Sequence, residues 1–196
     1  MMHTMERYFV LEDTMEITDK IAQDVMKNVM KYAKILKKDP ENYEARAEIM
    51  WCGSLSHNGL TGCGTCGGDW ATHLIEHELG GMFDVAHGAG LAAVWGSWAR
   101  YVMDEKPERF AQFAVDVMGV EESDDVKSTA LKGIEAVEEF YRMIEMPTNM
   151  KELGINPTDE QIKDMAMKAT NHDTQQLGAF KKLSAKDLVE IYKTAK

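Results

Sequence analysis

The chain has 196 residues, of which 44% are hydrophobic and 28% charged, so it is long and apolar enough for one domain with a sizeable core. Its formal net charge of −11 argues against nucleic acid as a partner, because phosphate binding needs a basic face. The sequence has no apolar run near the roughly 20 residues of a membrane span, no signal peptide at its start, and three cysteines, an odd number that does not suggest a secreted disulfide framework. We therefore expect a cytoplasmic protein with no membrane partner.

Apolar residues recur at helical spacing along most of the chain, and no alternating strand pattern or internal repeat is visible. The predicted helices cover residues 1–10, 14–38, 42–55, two segments within 69–103, 107–117, 123–145, 158–170 and the stretch that begins at Ser184. Thr158 and Ser184 precede helical runs as N-caps, Ser184 with Asp187 three positions later in a capping-box arrangement. The pattern predicts an all-α bundle of about eight to ten helices.

A glycine-rich segment, residues 58–68, contains two motifs of low specificity. Gly62 to Gly67 match GxGxxG, but a dinucleotide fingerprint needs a preceding strand, and a helix is predicted there. Cys63 and Cys66 form a CxxC, for which Cys52 and His57 are the nearby candidates for a second zinc-binding pair. We interpret the segment as a turn with small buried thiols.

Three of the six histidines lie within residues 69–90. His73 and His77 are four residues apart, so they share one face of a helix. Gly80 and Gly81 are predicted to end that helix. His87 follows at the start of a second, strongly apolar helix. Two imidazoles on one helix and a third from the next element are a common way to build a metal site.

The spacing of His73, Glu76 and His77 also matches HxxEH, the inverted motif of zinc peptidases, in which the glutamate is a general base. His87 follows too soon to be the distant acidic ligand of such enzymes. A zinc metallopeptidase is therefore retained as an alternative from a different reaction class.

A longer set of residues resembles a known family. DWATH at residues 69–73, IEHEL at 75–79 and DVAHGAGLA at 84–92 resemble the iron-containing alcohol dehydrogenases, in particular their butanol dehydrogenase branch. The opening MHTMERYF at 2–9 and the segments KAT at 168–170 and GAFKKL at 178–183 are similar to the same family. The resemblance spans the whole chain and implies the C-terminal helical domain of these enzymes, which is dehydroquinate synthase-like in fold.

The resemblance implies a set of site residues. A divalent metal, Fe2+ or Zn2+, would be bound by His3, His73 and His87. His77 would lie beside the metal as a catalytic residue that handles substrate or its proton. The metal would lower the pKa of a primary alcohol, and NAD(P) would exchange a hydride with the carbon that bears the oxygen. Phe83, Trp95 and Trp98 are candidate walls of an apolar substrate pocket, with core packing of the helix after His87 as an alternative of at least equal weight.

The sequence departs from the family pattern at its beginning. The family's aspartate ligand lies four residues before the first histidine, which here would precede Met1. The N-terminal α/β domain that binds NAD(P) has no counterpart either. We expect residues 1–196 to be the metal-binding helical domain alone, inactive without its other half and part of a homodimer in the intact protein. A non-catalytic metal-binding or interaction remnant is the second alternative.

Overall fold

The computed structural model describes residues 1–13 and 15–196, and this part of the chain is helical, with no strand. One isolated antiparallel bridge joins Leu177 and Leu183. The described residues form nine helices: α1 (Met2–Tyr8), α2 (Glu16–Lys38), α3 (Tyr43–His57), α4 (Ala71–Phe83), α5 (His87–Val102), α6 (Pro107–Asp116), α7 (Val126–Met143), α8 (Asp159–Ala169) and α9 (Ala185–Thr194). Two short 3-10 turns cover Leu60–Gly62 and Met103–Glu105. The prediction of an all-α fold is confirmed.

Helix starts follow the capping residues in the sequence. The side chain of Asn42 accepts a hydrogen bond from the Ala45 N–H at 3.0 Å and caps α3. Thr158 and Ser184 are the N-caps of α8 and α9, as predicted, and both form capping boxes, Ser184 with Asp187 as predicted and Thr158 with Gln161. Asp125 caps α7, so that helix begins later than its predicted start at residue 123. The predicted start of α2 at Thr14 lies outside the described residues.

The predicted end of α4 at Gly80 and Gly81 is wrong. The helix continues through both glycines to Phe83, and Asp84 ends it with a left-handed φ of 53°. A Cβ at position 80 would lie 3.1 Å from Oε1 of Glu76. The glycine therefore leaves room for that carboxylate, and the packing offsets the roughly 1 kcal/mol that glycine costs in a helix.

An aromatic cluster fills the centre of the bundle. Phe9 stacks on Phe110 with ring centroids 4.4 Å apart, and it also contacts Trp95, Trp98 and Phe113. Both tryptophans are only 1% exposed. They belong to the core, and the expectation that they wall a substrate pocket is wrong.

Buried polar groups fix the first helix. The guanidinium of Arg109 donates to the carbonyl of Tyr8 at 2.9 and 2.6 Å and pairs with both carboxylate oxygens of Asp19. Because the last carbonyls of a helix have no partner within it, Arg109 satisfies the end of α1 and ties it to α2 and α6.

The C-terminal segment is tied to the start of α4 by Asp69, which is 4% exposed. Its carboxylate accepts hydrogen bonds from the N–H groups of Ala71, Ala179 and Phe180. Gly178, with φ +85°, lets the chain turn beneath that carboxylate.

In the described part of the chain, no helix is long and apolar enough to cross a membrane.

Candidate metal site

The structure brings together the four histidines that the sequence singled out. The ring centroid of His73 lies 4.5 Å from that of His3, 5.3 Å from that of His87 and 6.4 Å from that of His77. His77 and His87 are 5.5 Å apart. Three separate helices, α1, α4 and α5, therefore deliver imidazoles to one place, although His3 and His73 are far apart in sequence.

His73 is the most enclosed of these residues, with 5% exposure. Its Nδ1 lies 2.8 Å from Oε1 of Glu6. Its Nε2 is buried and has no hydrogen-bond partner among residues 1–13 and 15–196. A buried nitrogen without a partner is costly, so its presence needs a reason, and a ligand that binds to it is one.

Glu6 also caps α4. Trp70, the residue before that helix, has φ 63° and provides no side-chain cap. Instead the Glu6 carboxylate accepts hydrogen bonds from the N–H groups of Trp70 at 2.8 Å and His73 at 3.2 Å. A carboxylate on α1 thus accepts hydrogen bonds from free N–H groups at the start of α4. Its negative charge is also favourable at the positive end of that helix.

His87 is more accessible, with 46% of its side chain exposed. Its Nδ1 is hydrogen-bonded to Oε2 of Glu76, which is 1% exposed. A Cβ at position 90 would lie 2.5 Å from Oε1 of Glu76, so only glycine leaves space for this carboxylate beside α5. Packing therefore requires the glycine at position 90, three residues after His87.

The imidazoles at the centre are neutral. Burial, together with the neighbouring histidines, lowers the pKa of His73 and that of His3 to about 4. Burial raises the pKa of Glu6 to about 7, and the N–H groups of Trp70 and His73 limit that rise. Neutral rings keep the lone pairs that a metal ion needs.

His77 lies at the edge of this group and is exposed. With Glu76 and His87 it forms the one set of three candidate ligands in the described residues whose ligand atoms all lie within 4.8 Å of one another. However, the contact between Glu76 and His87 within that set is a hydrogen bond. This contact uses the carboxylate that a peptidase of the HxxEH type would need as its base, so the structure does not favour that alternative.

Two residues of the site were not assigned to it from the sequence. One is Glu6. The other is His57, at the end of α3, whose ring centroid lies 4.1 Å from that of His3. The Nδ1 of His57 bonds to the carbonyl of Gly53 at 2.8 Å. Since a carbonyl only accepts, this nitrogen carries the proton and Nε2 is left as an acceptor. No local spacing links residues 3 and 57, so only the packing of α3 against α1 could reveal this contact.

An apolar cavity of about 290 Å³ opens beside His3 and His87. It lies between the starts of α1 and α5, the middle of α2 and the end of α7. Its apolar walls include Met2, Val29, Leu91, Phe140, Tyr141 and Ile144.

The glycine-rich segment lies between α3 and α4, with no strand before it. This geometry does not fit a dinucleotide fingerprint. Cys52 is buried, whereas Cys63 and Cys66 are exposed, so the expectation of buried thiols in this segment is wrong.

Comparison with known proteins shows what the chain is similar to. The profile of the Fe-containing alcohol dehydrogenase family, C-terminal, matches residues 1–196. The probable NADH-dependent butanol dehydrogenase 1 of Bacillus subtilis is 35% identical over 100% of this chain and 49% of that protein. The NADPH-dependent aldehyde reductase YqhD of Escherichia coli is 30% identical over 99% of this chain and 49% of that protein.

The crystal structure of the NADH-dependent butanol dehydrogenase A of Thermotoga maritima superposes with a TM-score of 0.90 at 34% identity, covering 99% of this chain and 49% of that one. The chain thus spans about half the length of the relatives it matches.

Proposed function

Because the chain belongs to the Fe-containing alcohol dehydrogenase family, we propose that it supplies the metal-binding half of an NAD(P)-linked oxidoreductase that interconverts primary alcohols and aldehydes. The observation that carries this proposal is the buried Nε2 of His73, which lacks a partner in the described residues and belongs to a ring packed between those of His3 and His87.

His3, His73 and His87 are the proposed ligands of Fe2+ or Zn2+. The donor set fits either ion, since neutral imidazole suits both iron and zinc. When bound, the divalent ion supplies Lewis-acid chemistry that lowers the pKa of an alcohol hydroxyl. The three rings also define where the reacting oxygen must lie, because they come from helices that the core holds in place.

His77 is the proposed catalytic residue beside the ligands. It is exposed, it lies on the same helix as His73, and its ring is 5.5 Å from that of His87. In that place its imidazole can exchange a proton with the substrate hydroxyl, since its ring nitrogens can both accept and donate a proton.

The apolar cavity beside His3 and His87 is the proposed site for the carbon chain of the substrate. Its volume of about 290 Å³ suits a short aliphatic chain, and most of the side chains that line it are apolar. Leu91 and Tyr141 would contact the chain while the hydroxyl stays among the histidines.

The nucleotide is not assigned to any residue of the chain, since the GxGxxG segment does not fit one. The Bacillus subtilis relative is named as NADH-dependent and the Escherichia coli relative as NADPH-dependent. We propose that the nucleotide contacts are made in the intact enzyme and that the intact enzyme is a homodimer. Residues 1–196 alone are proposed to bind metal without turning over alcohol.

The test uses the purified 196-residue chain. Titration with Zn2+, and with Fe2+ under anaerobic conditions, is expected to show one bound ion per chain, with affinity lost in His73→Ala. Butanol oxidation with NAD or NADP is expected to stay at background. The variant Glu78→Gln, on the same helix α4, serves as the control with unchanged metal affinity.

Two results would contradict the proposal. Metal affinity that is the same in the wild type and in His73→Ala would remove the assigned site. Robust alcohol turnover by the isolated chain would contradict the proposal that residues 1–196 form only a part of the catalytic machinery.

A further inference from the structure

Two of the three helices that carry the proposed ligands contain the same short motif. His3 is followed three residues later by Glu6 on α1, and His73 is followed three residues later by Glu76 on α4. In each case the histidine and the glutamate are one helical turn apart, so both project from one side of the helix.

Each of these glutamates forms a hydrogen bond with a histidine on the following one of the three ligand-bearing helices. Glu6 contacts Nδ1 of His73, and Glu76 contacts Nδ1 of His87. Both carboxylates are almost fully buried, with exposures of 3% and 1%. The three helices are therefore linked in series. The glutamate of α1 fixes the imidazole of His73 on α4, and the glutamate of α4 fixes the imidazole of His87 on α5.

We propose that Glu6 and Glu76 are positioning residues that hold His73 and His87 with a proton on Nδ1 and Nε2 free to bind the metal. This inference rests on the proposed function, because it assumes that both histidines are ligands. A carboxylate on the outer nitrogen of a ligating histidine fixes its tautomer and orientation and raises its basicity.

Three observations support this role over simple burial of two acidic side chains. The Nε2 of His73 is the nitrogen without a partner in the described part of the chain, as the role requires. Both contacts involve the same ring atom, Nδ1, although they join different pairs of helices. Gly80 and Gly90 leave the space that Glu76 occupies, so the surrounding backbone is adapted to that carboxylate.

The role also differs from direct ligation by Glu76. A carboxylate oxygen and an imidazole nitrogen on the same ion cannot at the same time share a proton in a hydrogen bond. The contact between Oε2 of Glu76 and Nδ1 of His87 is such a hydrogen bond, so these two atoms occupy each other and Nε2 of His87 is left for the ion.

The first experiment reads the tautomers directly in the metal-free chain. Long-range proton–nitrogen NMR at pH 7.5 is expected to show the proton on Nδ1 for both His73 and His87. In Glu76→Ala, His87 is expected to shift toward the tautomer with the proton on Nε2, while His73 stays unchanged. A wild-type protein with the proton on Nε2 of His87 would overturn the proposal.

The second experiment measures metal affinity and the visible spectrum of bound Co2+. Glu76→Ala is expected to weaken binding about 10- to 100-fold, the usual effect of losing such a partner. Glu76→Gln keeps an oxygen that accepts from Nδ1 and is expected to restore most of the affinity. Glu78→Gln on the same helix is the matched control and is expected to leave both affinity and spectrum unchanged.

Glu76 gives the cleaner test, because Glu6 also caps α4 and its variants combine two effects. Thermal unfolding of the Glu76 variants distinguishes a purely structural role from the positioning role. A variant with a lower melting temperature but the wild-type tautomer, metal affinity and Co2+ spectrum would overturn the inference. If Glu76→Ala does not fold, Glu76→Gln and the wild-type tautomers still decide it.

The outcomes separate this inference from the proposed function. Loss of affinity in His73→Ala and His87→Ala with no effect of either Glu76 variant rejects the positioning role alone. Unchanged affinity in both histidine variants rejects the metal site itself, and the positioning role with it.

Discussion

The two ends of α5 differ in what they contribute. At its start His87 and Gly88 are exposed, whereas residues 90–99 are all buried. α1 shows the same division on a smaller scale, since His3 is partly exposed while Met5 and Phe9 are completely buried. The apolar ends of these helices anchor them in the core, and their polar ends are held in place for binding.

This division separates stability from binding. The aromatic cluster buries large, mostly apolar side chains, which stabilises the fold, although Nε1 of Trp98 has no partner among the described residues. At the histidine end the buried Nε2 of His73 also lacks a partner in the described part of the chain, which costs free energy, and little apolar area is buried there to offset it. Substitutions at the apolar end should therefore change the free energy of unfolding, and substitutions at the polar end should change metal affinity.

The largest expected effect is in the aromatic cluster. Trp98→Ala removes a fully buried indole packed against Phe9 and Phe110, and we expect the free energy of unfolding to fall by about 3–5 kcal/mol. Urea unfolding measures this. The matched variant Trp98→Phe should cost much less, because the Nε1 of Trp98 has no partner among the described residues. An equal loss in both variants would contradict this assignment.

Metal removal should have a smaller effect, confined to the other end. Zn2+ at about a hundred times its dissociation constant should stabilise the folded chain by about 2.7 kcal/mol, or roughly 5–10 °C in melting temperature. Addition of EDTA should reverse the shift. His87→Ala should abolish it and should lower the metal-free stability by about 1–3 kcal/mol, less than Trp98→Ala does, because the buried Glu76 carboxylate loses its hydrogen-bond donor. A large loss of stability in metal-free His87→Ala would break the separation.

Asp69 connects the two regions, since it begins the segment that leads to His73 and holds the C-terminal turn. Asp69→Ala leaves the N–H groups of Ala179 and Phe180 without their acceptor, so we expect a loss of about 2 kcal/mol in thermal or urea unfolding. Asp69→Asn retains one acceptor oxygen and should lose less. If Asp69→Ala melts like the wild type, the turn is held by other contacts.

The smallest expected effect depends on pH. Burial acts to raise the pKa of Asp187, but hydrogen bonds from Ser184 and Tyr101 outweigh it and hold the pKa below its ordinary value. This group therefore stabilises the fold above the pKa of an unfolded aspartate, and the stabilisation is lost as the pH falls through the lower, folded-state pKa.

Asp187→Asn should accordingly lower the free energy of unfolding by at most about 1 kcal/mol at pH 7. The difference from the wild type should shrink when unfolding is measured near pH 3. Tyr101→Phe removes one of the hydrogen bonds and should show a part of the same pH dependence. A difference that grows on acidification would contradict the assigned direction of the pKa.

The capping residues show why much of the fold could be predicted. Asn42, Thr158 and Ser184 act within three residues of their own position, so their effect can be seen in sequence. The glycines of α4 show the limit. Gly80 resembles a helix end locally, but its function is to leave room for Glu76, which depends on how α4 packs.

The proposed site shows the same limit. The motif resemblance named His3, His73, His77 and His87, and the structure places their rings near one another. It did not name Glu6 or His57, since their partners are far away in sequence. The sequence also left Trp95 and Trp98 open between a pocket wall and the core, because an apolar helix face does not show which neighbour covers it.

The sequence by itself determined most of the helices and their caps, because each depends on side chains within a turn or two of one another, whereas the proposed histidine ligands came from the resemblance to the family. Only the tertiary structure decided which nitrogen of His73 and His87 is occupied and where the apolar cavity lies. Those features depend on contacts between helices, such as Glu6 with His73, and local periodicity contains no information about how helices distant in sequence pack together.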